Sequence, residues 1–342
     1  MEKMRFGKTG LNVSRVALGG IPIQRLSLHE AVKVVRRAID LGVNFIDTAN
    51  SYTDSEEKIG KAIKDVPRDS LVIASKSAAA DKITFLQNID LSLKRLGTDY
   101  IDLYQHHDVS THERYNAIMS ESGAYEGMLE ALRSGKVRFA AFSSHSIPVA
   151  MRIMREDKFA AVQLPFNYID DEAAKEAIPL ANDLDMGFIA MKPFGGGLLS
   201  DARLTIGYLL QFCNVVPDPG IEKESEIEEI VRLVESGVSF SAEDMAIVER
   251  VKAETKDIWC HRCGYCEPCP QNININMVLN VQGAIKRMPY SRVSDLLGGM
   301  FTSAHNCTEC RACVEKCPYH LDIPVLIKDK IVIWDRYISE NN

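Results

Sequence analysis

LHEAVKVVRRAIDLGVNFIDTANSYTDSEEKIGKAIKD, residues 28–65, holds the reading that decides the fold. LHEAVKVVRRAIDLG is amphipathic at the helical period, NFIDTA is a short apolar run rich in strand formers, and SEEKIGKAIKD returns to the helical period. One strand therefore lies between two helices, with polar residues at its C-terminal end. Outward from this unit the same alternation recurs. SRVALGG precedes it, and LVIAS, YIDLYQ, RFAAFS, AAVQLP, GFIAMK and NVV follow it. Eight strand-then-helix repeats in about 250 residues predict an α/β chain forming a (β/α)8 TIM barrel, with an open doubly wound sheet as the rival.

The chain has 342 residues, of which 46% are hydrophobic and 25% charged. This is the balance of a globular protein and excludes disorder, collagen and a coiled-coil rod. The net charge of −7 argues against a broad nucleic-acid surface. No apolar run approaches the roughly 20 residues of a membrane span, and MEKMRFGKTG carries no apolar signal core. A reducing, cytoplasmic setting is expected. There, the eight cysteines crowded between Cys260 and Cys317 point to metal or redox chemistry, while Cys213 reads as a small buried apolar residue. At Trp259 the sequence turns to Cys, Pro, Asn and Gly, and the expected boundary separates a barrel at 1–255 from a second domain at 256–342. The helices of 226–256 are assigned to the barrel, the last on its exterior. Residues 256–342 carry 10 Lys/Arg and 9 Asp/Glu, a charge of +1, against 30 and 38, or −8, for the remainder.

Polar residues stand at the C-terminal ends of the barrel strands, the face on which such barrels do chemistry. Asp47 ends NFIDTA with Tyr52 five residues on, Lys76 follows LVIAS, and His106 and His107 follow YIDLYQ. Taken singly, each reads more readily as a solvated or packing residue. Together, GVNFIDTANSYTDSEEKIGKAI, Ser75–Lys76 and IDLYQHH, with RFGKTGLNVSRVALGG, VQLPFN and MKPFGGGLL, resemble the aldo-keto reductase family over about 250 residues. The resemblance implies a catalytic tetrad of Asp47, Tyr52, Lys76 and His107. Tyr52 would protonate a carbonyl oxygen that gains charge as hydride arrives. Lys76 would favour the phenolate left behind, Asp47 would hold Lys76, and His107 would donate to the substrate oxygen. His106 is the alternative in the histidine register.

By the same resemblance Ser143, Ser144 and Gln163 would bind the nicotinamide carboxamide, with Ser144 standing where the family usually has Asn. Strand-end capping explains the two serines equally well. Met191 would take the place of the aromatic ring that stacks on the nicotinamide. Gly195, Gly196 and Gly197 would let the backbone approach the pyrophosphate. In the loop PDPGIEKESEIEEIV, Gly220, Lys223 and Glu226 are the remaining cofactor candidates. Glu226 falls where NADP-using members carry a basic residue, and Lys223 is the lone cation of the loop, so NADH is favoured within NAD(P)H.

The cysteines form two runs. Cys260, Cys263, Cys266 and Cys269 read C-x2-C-x2-C-x2-C-P, and Cys307, Cys310, Cys313 and Cys317 read C-x2-C-x2-C-x3-C-P. The second is the run of bacterial-type ferredoxins, where the fourth cysteine serves the other cluster. This resemblance implies a mainly helical, ferredoxin-like domain with two 4Fe-4S clusters. One would be held by Cys260, Cys263, Cys266 and Cys317, the other by Cys307, Cys310, Cys313 and Cys269. Two structural zinc ions are the competing reading.

The expected activity is NAD(P)H-dependent interconversion of a small carbonyl or alcohol, coupled or adjacent to electron transfer through the clusters. The expected electron partner is a ferredoxin or flavoprotein, with no nucleic acid and no membrane. Nicotinamide passes two electrons and a cluster one. A bound flavin therefore stays open as the bridge, although no flavin motif is seen. The alternative is an electron-transfer or redox-sensing protein whose barrel does not turn over.

Overall fold

Strand and helix alternate from residue 18 to residue 235 in the computed structural model, which describes residues 1–341. Two antiparallel strands come first, β1 (Lys3–Phe6) and β2 (Leu11–Ser14). The barrel strands are β3 (Leu18–Gly19), β4 (Phe45–Asp47), β5 (Val72–Ser77), β6 (Ile101–His106), β7 (Val137–Ser143), β8 (Ala161–Pro165), β9 (Gly187–Met191) and β10 (Val215–Asp218). Between and after them run α1 (Leu28–Asp40), α2 (Ser55–Ile63), α3 (Lys82–Leu96), α4 (His112–Ile118), α5 (Ala124–Arg133), α6 (Ile147–Arg155), α7 (Ala177–Asp183), α8 (Ala202–Leu210) and α9 (Glu224–Glu235). Helix α1 starts where its sequence says it should. The Ser27 hydroxyl accepts the Glu30 N–H, and the Glu30 carboxylate accepts the Ser27 N–H.

All eight barrel strands pair in parallel, in chain order from β3 to β10. The ring closes where Ala17 N–H donates to Pro217 O and Gly19 N–H to Pro219 O, each at 2.8 Å. The sheet is thus a closed (β/α)8 barrel rather than an open wound sheet. Its interior is layered by the two-residue period of the strands. A lower, apolar layer holds Phe45, Ala74, Leu103, Ala141, Ala161, Ile189 and Val216. Two residues further along each strand stand Asp47, Lys76, Gln105, Ser143, Gln163, Met191 and Asp218. The β1–β2 hairpin adds Phe6, Leu11 and Val13 to the apolar layer. A side chain at Gly187 would lie 2.3 Å from the Phe6 ring, so glycine is required there. Hairpin and apolar layer fill the N-terminal end of the barrel, leaving the polar layer at the other.

Grouping by proximity places residues 1–195 and 199–240 in one unit, and residues 196–198 and 241–342 in a second. The second unit holds α10 (Ala242–Thr255), α11 (Ile275–Leu279), α12 (Val281–Arg287), α13 (Tyr290–Ala304), α14 (Ala312–Glu315) and α15 (Ile323–Asn341). Helix α10, read from sequence as barrel exterior, groups with this unit, so the division falls at 240/241 where the sequence suggests 255/256. Its Glu- and Lys-rich composition marks an exposed helix but not its neighbours, and only Asp244 and Val248 are buried. The core of the unit gathers Val278, Val281, Val293, Leu297, Phe301, Ile323 and Trp334, with Phe301 and Trp334 stacked at 4.5 Å. Cys213 is exposed, contrary to expectation, because it lies in the turn between α8 and β10. No helix among the described residues is long and apolar enough to cross a membrane.

Candidate active site and cysteine cavities

Strand β4 ends on Asp47 and β5 carries Lys76, and their side chains meet inside the barrel. Lys76 Nζ donates to Asp47 Oδ2 at 2.5 Å and to Thr48 O at 2.6 Å. Both residues are almost wholly buried, at 2% and 3% exposure. Burial pulls the Lys76 ammonium down, but its acidic surroundings, Asp47 first, outweigh burial and hold it above the usual lysine range. Tyr52 follows β4 in a short loop, with its ring centroid 5.4 Å from Lys76 Nζ. The His107 ring meets Tyr52 edge-on at 5.9 Å. Burial, then Lys76, Arg114 and Lys192, push the His107 pKa down to about 3, so the imidazole is neutral and retains one N–H donor.

The structure brings Asp47, Tyr52, Lys76 and His107 into one cluster and separates His106 from it. His106 lies on the outer side of β6, stacked on Phe85 of α3 at 4.6 Å. Neither of its buried ring nitrogens has a hydrogen-bond partner among the described residues.

Two further residues of the polar layer were not anticipated. Gln105 Nε2 donates to Asp47 Oδ1 at 3.2 Å. Asp218, the last residue of β10, accepts from Gln163 Nε2 at 2.9 Å. The same Gln163 nitrogen lies 3.4 Å from Asp47 Oδ2. Both residues stand two positions beyond an apolar barrel residue, Leu103 and Val216, and that spacing was the available signal.

The other expected cofactor residues divide. Ser143 lies beside Gln163 in the sheet, and its hydroxyl accepts the Asp108 N–H at 2.9 Å. Ser144 turns its hydroxyl onto Ser146, accepting from its N–H at 3.0 Å. Met191 ends β9 beside Asp218. Gly195, Gly196 and Gly197 all adopt left-handed backbone, with φ of 57°, 75° and 89°. Gly196 and Gly197 fall in the second unit, where Lys286 Nζ donates to Gly197 O at 2.8 Å. Gly220 packs close, since a Cβ there would lie 2.8 Å from Pro22. Lys223 is exposed at the start of α9. The Glu226 carboxylate accepts the N–H groups of Glu222 and Lys223 at 2.8 and 3.1 Å, which commits it to the helix terminus.

In the second unit, the cysteines line cavity walls. One cavity is lined by Cys260, Cys263, Cys266 and Cys317. The other is lined by Cys269, Cys307, Cys310 and Cys313, and also by Cys266. The fourth cysteine of each run thus sits with the first three of the other. Left-handed residues Arg262, Gly264, Glu309 and Arg311 bend the chain around these cavities. Gln271 N–H donates to Cys269 Sγ at 3.4 Å. Burial, with Cys260, Glu267 and Cys263 nearby, pushes the Cys266 thiol up to about 12. Among the described residues no three His, Cys, Asp or Glu side chains gather as they would around a single ion.

The sequence pattern of the aldo/keto reductase family matches residues 15–211. The chain belongs to that family. It is an oxidoreductase of aldo-keto reductase type. Residues 259–322 match the pattern of a 4Fe-4S dicluster domain. The chain is similar to aldo-keto reductase YhdN of Bacillus subtilis (strain 168), 31% identical over 229 residues that span 62% of this chain and 67% of that protein. It is also similar to the L-galactose dehydrogenase of Arabidopsis thaliana, 28% identical over 221 residues, 59% of this chain and 68% of that one. Among solved structures, an aldo-keto reductase from Klebsiella pneumoniae in complex with NADPH superposes with a TM-score of 0.64 at 22% identity, covering 73% of this chain and 95% of that one. The thermostable aldo-keto reductase Tm1743 gives 0.64 at 24%, covering 73% and 100%. Both share the barrel fold.

Proposed function

We propose that the barrel reduces a small carbonyl compound, or oxidises the corresponding alcohol, with NAD(P)H. The observation that carries this reading is the buried Lys76–Asp47 pair beneath the Tyr52 ring, with His107 against the same ring. A reduced nicotinamide supplies hydride when bound. Tyr52 gives its phenolic proton to the substrate oxygen. Lys76 stabilises the phenolate that remains, and Asp47 keeps Lys76 charged and fixed. Neutral His107 donates its N–H to the same oxygen and sets the carbonyl's orientation.

Gln163, Ser143 and Ser144 would hold the carboxamide, Met191 would face the nicotinamide ring, and Gly195, Gly196 and Gly197 would receive the phosphates. The Klebsiella pneumoniae relative was crystallised with NADPH. Here the acidic loop around Gly220, Lys223 and Glu226 favours NADH, which has no 2′-phosphate to repel.

The proposal extends to two 4Fe-4S clusters in the second unit. Two cavities, one lined by four cysteines and the other by five with Cys266 shared, supply the four thiols that the irons of a cubic cluster take, one at each corner. The clusters would carry single electrons to or from a ferredoxin or flavoprotein, in a cytoplasmic setting.

The test is reduction of simple aldehydes by NADH and NADPH under anaerobic conditions. Activity lost on Tyr52→Phe supports the reading, and turnover surviving that change overturns it. Iron analysis should give about eight irons per chain. Zinc in place of iron would refute the redox role of the second unit. Bleaching of the visible cluster band by NADH would show that clusters and nicotinamide exchange electrons.

A further inference from the structure

Two carboxyl groups, Asp47 and Asp218, sit in the polar layer, and Lys76 is the ammonium that donates to Asp47. Gln163 Nε2 reaches toward one oxygen of each, at 3.4 and 2.9 Å. The second oxygen of Asp218, Oδ1, is buried and meets no donor among the described residues. An ionised carboxylate with such an oxygen would pay its full desolvation penalty. A proton on the carboxyl removes it.

The Gln163 amide has its own constraint. Both groups near Nε2 are carboxyl oxygens, so that side of the amide must be the donor. Its oxygen, Oε1, is then turned the other way, where it too is buried without a donor. A free acceptor of this kind matches an incoming N–H.

We propose that Asp218 is a neutral, proton-carrying acid hydrogen-bonded to Asp47, and that it holds the Gln163 amide so that its oxygen receives the carboxamide N–H of a nicotinamide. The second half rests on the cofactor reading above, and the first half does not. Asp218 is a positioning residue, acting on the cofactor through Gln163. The groups facing it are Asp47 on β4, Lys76 on β5 and Gln163 on β8. Burial and the Asp47 charge both disfavour its ionised form, and Lys76 and Gln163 offset them only in part. With Asp218 neutral, the Asp47–Lys76 pair balances to zero and Lys76 has one carboxylate partner.

Two measurements on the full chain test this. The first is an infrared difference spectrum at pH 7 between the wild type and Asp218→Asn. A carboxylic-acid C=O band that is present in the wild type and missing in the variant supports the neutral acid. The absence of that difference overturns it. The second is the Kd of NADH and of NADPH by fluorescence titration. Asp218→Leu, which cannot anchor Gln163, should weaken binding about tenfold, and Asp218→Asn, whose amide oxygen still accepts from Gln163, should recover most of the loss. Equal Kd values in all three proteins overturn the positioning role. Should the wild type bind neither nucleotide, the cofactor reading fails, and the infrared result still decides the proton.

Discussion

Replacing Lys76 with Met removes the ammonium and keeps most of the side-chain volume. Its Nζ lies 5.4 Å from the Tyr52 ring centroid. At that separation, with an effective dielectric of about 20, a full phenolate charge gains about 3 kcal/mol from the ammonium. Each 1.4 kcal/mol or so is tenfold in rate, so full charge development corresponds to roughly two powers of ten in kcat. Lys76→Met should therefore lower kcat about a hundredfold at pH 7. The KM for the nicotinamide should change little, since the ammonium acts on charge formed during proton transfer. The substitution also leaves Asp47 buried and unpaired. Breaking such a pair costs about 3–5 kcal/mol of stability, which would lower the urea midpoint. The double variant Asp47→Asn/Lys76→Met removes both charges and should regain part of the lost stability while staying as slow as the single variant. Steady-state kinetics and urea melts of the three proteins separate the two effects. A folded Lys76→Met enzyme within threefold of wild-type kcat would refute the role of the ammonium.

Two further predictions concern groups outside the tetrad. His106 is fully buried with a pKa pushed down to about 3 by burial and then by Arg114, so the unfolded chain, titrating near 6.5, binds the extra proton first. Stability linked to His106 is thus complete above about pH 6.5 and is lost as the pH falls toward 3, reaching about 2 kcal/mol lost at pH 5. His106→Phe should remove this loss, and urea midpoints at pH 7.5 and pH 5 that shift equally in both proteins would contradict it. For the cysteines, the crossed arrangement makes a pairwise prediction. Cys269→Ser with Cys310→Ser strikes one cluster and should leave about four irons, whereas Cys269→Ser with Cys263→Ser strikes both and should leave few. Iron retention set by proximity in sequence instead of by cavity would refute the crossing.

The barrel was legible because each strand is short, apolar and followed by a helix with its own start signal. Asp47, Lys76 and Gln163 stood out as polar residues in otherwise apolar runs. Asp218 did not, because in PDPG it looks like an ordinary turn residue. What assigns it to the interior is strand phase, two residues beyond Val216, and phase is certain only when β10 is seen pairing with β9. The β1–β2 hairpin was missed for a related reason. Its strands have four residues each, and their alternation, with Phe6, Leu11 and Val13 inward, is too brief to separate from a loop. The histidine register is likewise a question of phase. A strand turns neighbours to opposite faces, so one of His106 and His107 must enter the barrel, and the sequence alone does not say which. Cys213 was misjudged because the approach to NVV was read as packed, whereas it lies in an exposed turn before the strand starts at Val215. The crossed cysteine pairing could be read early because a three-residue repeat of thiols can surround only one face of a cluster, which leaves the fourth ligand to come from elsewhere.

One electrostatic rule governs both units. Each gathers groups that repel one another once ionised, and each needs a positive charge at the centre. In the barrel the repelling groups are Asp47 and Asp218, and Lys76 supplies the charge from within the chain. A single ammonium balances a single carboxylate, which is why the second acid is expected to keep its proton. In the cysteine cavities the repelling groups are thiols. The arginines on those walls, Arg262 and Arg311, are one to a cavity against four or five thiols. That is too little charge to hold four thiolates, and Cys266 left to itself keeps its proton to about pH 12. For all four to bind as thiolates, the missing charge has to come from metal. An iron–sulfur cube meets that demand: its irons bring the charge, and its corners meet the separated sulfurs. Iron content and thiol protonation are therefore linked, and stripping iron should make the second unit take up protons at neutral pH.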